Sequence, residues 1–139
     1  MLGEKLGSEH GHATGRRVLP GEEFRYMKME VSFETDIEIL SVHGQNIGTY
    51  TIVDRGPGQI YAEGQGIVMT EDGEGAIWNG HGIAQMDPDG TMRVGASIAI
   101  QTTAEKLASL NGMLVLVEHH AHPDGNMHSD LYGWTVAAH

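Results

Sequence analysis

Asn79 and His81 are the two polar side chains of this sequence whose types and spacing best suit chemistry. An imidazole gives or takes a proton near neutral pH, and a carboxamide both donates and accepts hydrogen bonds. Residues two apart in a β-strand share a face, so both side chains enter the interior if that face is the inner one. We predict that they orient a ligand, with His81 and Asn79 as candidate catalytic residues. Structural hydrogen bonding to Thr49, Thr51, Gln85 or a trapped water is the alternative.

A hairpin turn at residues 72–73 (Asp-Gly) relates this pair to the preceding strand. As a two-residue turn it places His81 opposite Gly64 and Asn79 opposite Gly66. An inward glycine either permits tight curvature or leaves space that a ligand can occupy. Both glycines therefore belong to the predicted ligand site.

The strand that follows predicts which face is the interior. A four-residue loop over 87–90 brings Ala96 beside His81, and the strand face that carries Ala96 is apolar along its length. The same pairing rule, applied back through the Gly-Pro-Gly turn at 56–58, places Thr49 and Thr51 of the preceding strand on this inner face. The predicted ligand-binding residues are Thr49, Thr51, Gly64, Gly66, Asn79 and His81.

The nine histidines suggest a metal site as a further interpretation. Several lie two apart near strand ends, and a hairpin over 123–126 would pair His119 with Asp130. The sequence has no HExxH motif and no compact cluster of three ligands, so solvated histidines are favoured and no metal is predicted. The His119 and Asp130 pair has no serine or cysteine nucleophile in a GxSxG setting, which speaks against a catalytic dyad. The GxG triplets never extend to GxGxxG, so no cofactor is predicted.

The elements that must position these residues are strands. Over 27–39 the odd positions are mostly apolar and the even positions mostly charged, which predicts a long half-buried strand. Weaker alternation predicts further strands over 9–19, 48–54, 59–70, 74–86, 91–102, 112–122 and 127–136. Leu107 and Leu110, followed by Asn-Gly, predict one short helical turn near 103–110.

Eight strands joined by short turns predict an antiparallel meander. Such a meander removes its open edges by closing, so the predicted fold class is all-β, a single closed, eight-stranded, mostly up-and-down antiparallel barrel over residues 1–139. A two-sheet sandwich is the alternative. An eight-stranded barrel is just wide enough to be filled by side chains or to hold one small ligand.

Composition excludes several classes of partner. Eight Lys and Arg against 19 Asp and Glu give a net charge of −11, which repels nucleic acid and anionic membrane surfaces. The chain has no cysteine, hence no disulfide, thiolate nucleophile or sulfur-ligated metal. No window is apolar enough for a spanning helix or a signal peptide, so a cytoplasmic location is expected.

A family resemblance rests on two motifs and a closing tryptophan. They are the hairpin YAEGQG (61–66) through WNGHG (78–82), the segment KLASLNG (106–112), and Trp134. From residue 48 onward the chain resembles the allene-oxide-cyclase-type barrels, and within that superfamily small uncharacterised bacterial members. The resemblance implies a closed antiparallel barrel, often oligomeric, whose apolar cavity contains a few polar groups. It transfers no catalytic residue, because no catalytic motif of that superfamily aligns here.

Three functions fit these residues. The leading one is binding of a small apolar or amphipathic molecule in the barrel lumen. The second is a cyclase or isomerase that uses the same cavity, and the third is a structural or oligomeric module with a packed interior. Tyr50 and Trp78 are predicted on the outer surface, where large apolar side chains favour a homo-oligomer interface.

Overall fold

The computed structural model describes residues 3–21 and 27–136, so both ends of the predicted domain and residues 22–26 lie outside the described residues. Eight antiparallel strands in chain order form one closed barrel in which each pairs with its sequence neighbours and β1 pairs with β8. The predicted fold class is confirmed. The strands are β1 (Glu4–Leu19), β2 (Lys28–Ile39), β3 (Val42–Asp54), β4 (Ile60–Thr70), β5 (Gly75–Met86), β6 (Met92–Thr102), β7 (Leu114–Ala121) and β8 (Asn126–Trp134).

The alternation of β2 follows the prediction. Its odd residues from Val31 to Ile39 are buried, whereas Met27, just before the strand, is 63% exposed. The predicted helical turn is a 3-10 helix, η1 (Glu105–Gly112), between β6 and β7. Leu107 and Leu110 of η1 are each 1% exposed and join the core, so η1 closes one end of the barrel.

Four of the hairpins have a turn of three residues. In each, the flanking residues share a backbone hydrogen bond and the third turn residue is a glycine with positive φ. In the turns at 71–73, 88–90 and 123–125 this glycine also donates to the residue before the turn, which is a type I turn followed by a left-handed residue, a position where glycine carries no steric cost. The turn at 56–58 differs, because its first residue, Gly56, also has positive φ. The four turns cover residues 56–58, 71–73, 88–90 and 123–125.

The length of these turns corrects the predicted register. The sequence interpretation used two residues for the turn at 71–73 and four for the turn at 88–90, so each pairing slipped by one position. A slip of one residue moves every side chain of a strand to the other face. The two slips cancel across β5, which is why the inward faces of β4 and β6 were predicted correctly while that of β5 was inverted.

β3 was inverted for a related reason. The odd-length turn at 56–58 pairs Ala62 with Ile52 and Gly64 with Tyr50, so the even residues of β3 face inward. β3 also begins at Val42, earlier than predicted, because a two-residue turn at Leu40 and Ser41 joins it to β2. Both turn residues have positive φ without being glycine or asparagine, so the sequence lacks the usual marker of this turn.

The other end of the barrel is a mouth bordered by the hairpin loops opposite η1. No helix of the described part of the chain is long and apolar enough to cross a membrane. The cytoplasmic location stays a prediction.

Candidate functional site

The barrel lumen contains a cavity of about 100 Å³. Most of its lining is aliphatic or glycine, and η1 closes it from below through Leu107 and Leu110. Glu63 of β4 and His81 of β5 border the cavity beside inward glycines, and both residues are exposed on the outer face. The other polar residues in this wall are few, and most come from β1, β3, β7 and β8. Among them are Glu9, Asn46, Tyr50, His119 and Ser129.

A buried chain of hydrogen bonds crosses one side of the lumen. The Trp78 Nε1–H donates to Asn46 Oδ1 over 2.8 Å, and Asn46 Nδ2 donates to Glu9 Oε1 over 3.1 Å. The Thr35 hydroxyl donates to the same Glu9 oxygen over 2.5 Å. Glu9, Thr35 and Asn46 are all buried, so these bonds satisfy groups that would otherwise cost about 1–3 kcal/mol each.

Two inward glycines make room for the Trp78 indole. A Cβ added at Gly66 would lie 2.5 Å from Trp78 Cε2 and Nε1, and one at Gly48 would lie 2.8 Å from Trp78 Cζ2 and 2.6 Å from Phe33 Cζ. These separations are shorter than any normal carbon contact. The indole therefore reaches Asn46 only because β3 and β4 carry no side chain at these two positions.

His119 occupies the opposite side of the lumen, on β7. Its Nδ1 lies 2.7 Å from Ser129 Oγ, and its ring meets Tyr50 edge-on, with 5.8 Å between ring centres. The residue as a whole is only partly buried, but its Nε2 is out of contact with solvent and has no hydrogen-bond partner among the described residues. Protein atoms cover this nitrogen, because its accessible surface is under 1 Å².

Glu9, Ser129 and His119 form one row across neighbouring strands. Glu9 of β1 pairs with Ser129 of β8, and Ser129 pairs with His119 of β7. Two strand spacings separate the backbones of Glu9 and His119 by about 10 Å. Both residues line the same cavity.

Burial shifts the proton affinities of three buried titratable groups in this wall, Glu9, Tyr50 and His119. Burial raises the pKa of Glu9, an effect that the hydrogen bonds from Thr35 and Asn46 partly oppose. Burial lowers the pKa of His119 to about 4, helped by the charges of neighbouring histidines, and raises that of Tyr50 to about 12. His119 and Tyr50 are therefore neutral at pH 7, and the Glu9 carboxyl holds its proton more tightly than an exposed one.

The mouth of the barrel contains a second and wider space of about 640 Å³. Methionines and aliphatic residues from several strands line it, together with Arg16 and Asp54. Tyr50 contributes to both spaces and stands between them. A ligand longer than the inner cavity could place its remainder in the mouth.

The structure separates the six predicted ligand residues. Gly64 lines the cavity, and Gly66 lies beneath the Trp78 indole instead. Asn79 and His81 are exposed on the outer face, so their predicted inward placement is wrong, for the register reason given above. His81 stacks there on Tyr61, with 6.2 Å between ring centres. His81 nevertheless borders the cavity, between the inward glycines Gly80 and Gly82.

Thr49 and Thr51 also lie on the outer face of β3, contrary to the prediction. The Thr49 hydroxyl is 3.5 Å from that of Ser32, its outward neighbour on β2. The odd-length turn at 56–58 accounts for their placement. Any ligand role of these outward residues stays an untested prediction.

Tyr50 and Trp78 show the reverse correction, since both were predicted outside and both line the lumen. The homo-oligomer stays a prediction, but these side chains do not form the surface for it. The outer face of β3, β4 and β5 instead carries one register row of exposed apolar residues, Ile47, Ile67 and Ile77.

The predicted pairing of His119 with Asp130 is wrong because the three-residue turn at 123–125 pairs His119 with Ser129. Outside the barrel, His128 stacks on His120 and on His122, with ring centres 4.7 and 5.2 Å apart. The described residues contain no group of three or more His, Cys, Asp or Glu arranged to hold a metal ion.

Glu9, Asn46 and Ser129 are among the site residues that the sequence interpretation missed. On β1 the inward neighbours of Glu9 are Gly7 and Gly11, so no apolar alternation marks that face as buried. Asn46 lies before the predicted start of β3. One indication was available, since pairing β1 with the clearly patterned β2 places Glu9 opposite Ile37.

The fold and its lumen define a class, the small closed antiparallel barrels of eight strands. A protein with unknown function from Clostridium acetobutylicum ATCC 824 has this fold, with a TM-score of 0.81 and 11% identity over 95% of this chain and 98% of its own. A β-barrel-like protein from Acinetobacter baumannii AYE matches with a TM-score of 0.78 and 12% identity over 94% and 93% of the two chains. An enzyme from Penicillium herquei matches with a TM-score of 0.66 and 15% identity over 92% of each.

Identities this low establish the shared fold alone. No family model and no curated protein matches the sequence. The narrower resemblance to allene-oxide-cyclase-type barrels stays a prediction.

Proposed function

We propose that this barrel binds a small apolar or amphipathic molecule in its lumen. The observation that carries the proposal is the cavity of about 100 Å³, whose mostly aliphatic wall also includes the polar residues Glu9, Asn46 and Ser129. An engineered apolar cavity of about 150 Å³ binds benzene, so a space of this order suits a small ring or a branched chain. The wider mouth, adjoining at Tyr50, suits a longer tail.

Trp78 provides a direct reporter of binding. It lines the cavity, whereas Trp134 is 51% exposed at the end of β8. In a Trp134→Phe background the single indole N–H resonance in a ¹⁵N NMR spectrum belongs to Trp78. Titration with toluene and with cyclohexanone should shift this resonance saturably, and no shift with either would count against lumen binding.

Filling the cavity should abolish that response. Ala96 lines the cavity. The barrel wall beside it is tightly packed, because even a Cβ added at neighbouring Gly82 would lie only 2.9 Å from the Ala96 Cβ. The carbons added by Ala96→Leu therefore enter the lumen. We expect at least a tenfold weaker binding of both probes, measured by the same titration.

The matched control is Ala99→Leu, the same change on the exposed face of β6. It should bind as the wild type does. Equal binding by the Ala96→Leu and Ala99→Leu variants, both folded by circular dichroism, would place the probes outside the lumen.

A second candidate function is catalysis in the same cavity, of the cyclase or isomerase type that the family resemblance implies. The row of Glu9, Ser129 and His119 favours it, since an acid or base and a neutral imidazole face one small volume. The Penicillium herquei enzyme indicates that a barrel of this fold can be an enzyme. A fully packed structural module is the less favoured reading, because the lumen contains a cavity of about 100 Å³.

A further inference from the structure

A β-bulge in β1 turns Arg16 toward the mouth of the barrel. The pairing of β1 with β2 skips Thr14, which is therefore an extra residue in its strand. Because of it, Arg16 pairs with Val31, a buried residue on the inner face of β2. Without the extra residue Arg16 would pair with Glu30 and face outward. Bulges of this kind re-aim side chains, often next to functional sites.

The two neighbouring arginines of β1 therefore have different surroundings. Arg17 pairs with Glu30 on the outer face, and their charged groups lie 3.4 Å apart. Arg16 lines the space of about 640 Å³ at the mouth, and it is the only arginine or lysine among the described residues of that wall. Val31 joins Arg16 and Tyr50 in one register row. The charge of Arg16 opposes part of the rise in the pKa of Tyr50 that burial causes, so it acts at the floor of the mouth.

The rest of this wall is mainly apolar and adaptable. Five methionines of the described chain line it: Met27, Met29, Met86, Met92 and Met127. Met27 and Met86 are 63% and 54% exposed, so the mouth presents thioether side chains to solvent. Exposed apolar side chains around a concave space are typical of a ligand-binding groove, and methionine adapts to ligands of different shape. The mouth thus combines one permanent cation with an apolar wall.

The two described carboxylates in the wall of the mouth are engaged in their own turns. Asp54 Oδ1 accepts from the backbone N–H of Gly56 over 2.9 Å. Both oxygens of Asp124 accept from Asn126, one from its backbone N–H over 2.9 Å and the other from Nδ2 over 3.1 Å. The hairpin loops therefore use both carboxylates, and Arg16 is the charged group that a ligand in the mouth must match.

We propose that the mouth binds an amphipathic carboxylate, with the carboxylate on the Arg16 guanidinium and the apolar chain against the methionines. The inference rests on the proposed binding function and names the polar group of the ligand. A guanidinium holds a carboxylate through two parallel hydrogen bonds, which a neutral or cationic head group cannot accept in the same way. The net charge of −11 repels anions over most of the surface, so a site for an anion needs a local cation of this kind.

Three probes with the same tail and different charges test the proposal: octanoate, 1-octanol and octylammonium. Labelling with methyl-¹³C methionine gives NMR signals from the mouth, at Met29 and Met92, and from the outer face, at Met69, which is 51% exposed. At pH 7 octanoate should shift the signals of Met29 and Met92 saturably and leave that of Met69 unchanged. Its dissociation constant should be at least about tenfold lower than that of octanol, the usual effect of a hydrogen bond to a charged group.

Arg16→Gln should remove the preference for octanoate. We expect about tenfold weaker binding of octanoate and unchanged binding of octanol, because glutamine keeps a polar side chain without the charge. Arg17→Gln is the matched control, the same change one residue further along β1 on the outer face. It should bind octanoate and octanol as the wild type does.

The outcomes decide the two proposals separately. Equal affinities for octanoate and octanol, or unchanged octanoate binding by a folded Arg16→Gln variant, overturn the role of Arg16. Tighter binding of octylammonium assigns the mouth to cations through Asp54 and Asp124 and also overturns the proposal, as does the absence of any shift at the mouth methionines. Titration of Trp78 with toluene measures binding in the inner cavity independently, so the binding function stands or falls by that result.

Discussion

Replacing His119 with phenylalanine is expected to make the folded protein less sensitive to acid. Between pH 7 and pH 4 the variant should lose roughly 3 kcal/mol less unfolding free energy than the wild type does. The folded state holds the pKa of His119 near 4, mainly by burial, whereas an unfolded chain has an ordinary histidine near 6.5. That difference, at about 1.4 kcal/mol per pKa unit, gives the expected effect.

The direction follows from which state binds the proton. Between pH 6.5 and 4 the unfolded chain takes up a proton at residue 119 that the folded chain refuses, so acidification stabilises the unfolded state. Above pH 6.5 His119 is neutral in both states and its contribution is fully present. Phenylalanine removes this titration, so the variant should lose less stability on acidification than the wild type does.

Other titratable groups near His119 must be separated from this effect. Tyr50 faces its ring but is neutral throughout the acid range, because burial raises its pKa to about 12. Glu9 lies in the same row, and its raised pKa acts oppositely, adding stability as the pH falls. His120, His122 and His128 lower the pKa of His119 through their charge and remain in the variant.

Urea unfolding of the wild type and of His119→Phe at a series of pH values from 7 to 4 measures the difference. His81→Phe is the control, since it removes an imidazole from the outer face, and it should show the wild-type pH dependence. Loss of the bond to Ser129 lowers the stability of His119→Phe at every pH, so only the change with pH is diagnostic. A constant gap between wild type and variant would contradict a buried neutral His119.

The contrast between His81 and His119 explains what the sequence could and could not predict here. Period-two patterns and turn residues were enough to predict the closed barrel, because alternation needs no knowledge of pairing. Placing a given side chain inside requires each turn length to the residue, and Asp-Gly within a three-residue turn resembles a two-residue turn. An error of one position therefore placed His81 in the lumen and paired His119 with Asp130.

The two inward glycines of β4 show the same limit of the sequence. Gly64 and Gly66 were correctly predicted to face inward, but their purpose depends on their neighbours. Gly64 borders the cavity, while Gly66 is covered by a tryptophan that the register error had placed outside. The sequence identifies small residues on an inner face, and only the pairing of β4 with β5 tells whether a side chain or a ligand uses the space.

The dependence of Trp78 on its glycine predicts a strong coupling between the two positions. Gly66→Ala places a methyl group 2.5 Å from the indole, which must shift and give up its 2.8 Å bond to Asn46. Overpacking costs about 1–3 kcal/mol and an unsatisfied buried amide a similar amount, so we expect a loss of about 3 kcal/mol in unfolding free energy.

In a Trp78→Leu background the same alanine meets no indole and loses no hydrogen bond. Gly66→Ala should then cost under about 1 kcal/mol, which gives a coupling of about 2 kcal/mol in a double-mutant cycle followed by urea unfolding. Gly95→Ala is the matched control on β6, because a Cβ there meets nothing within 4 Å, and its small effect should be the same in both backgrounds. Equal costs of Gly66→Ala with and without Trp78 would mean that the indole does not lie across β4, and the hydrogen-bonded chain that orients Glu9 would lose its anchor.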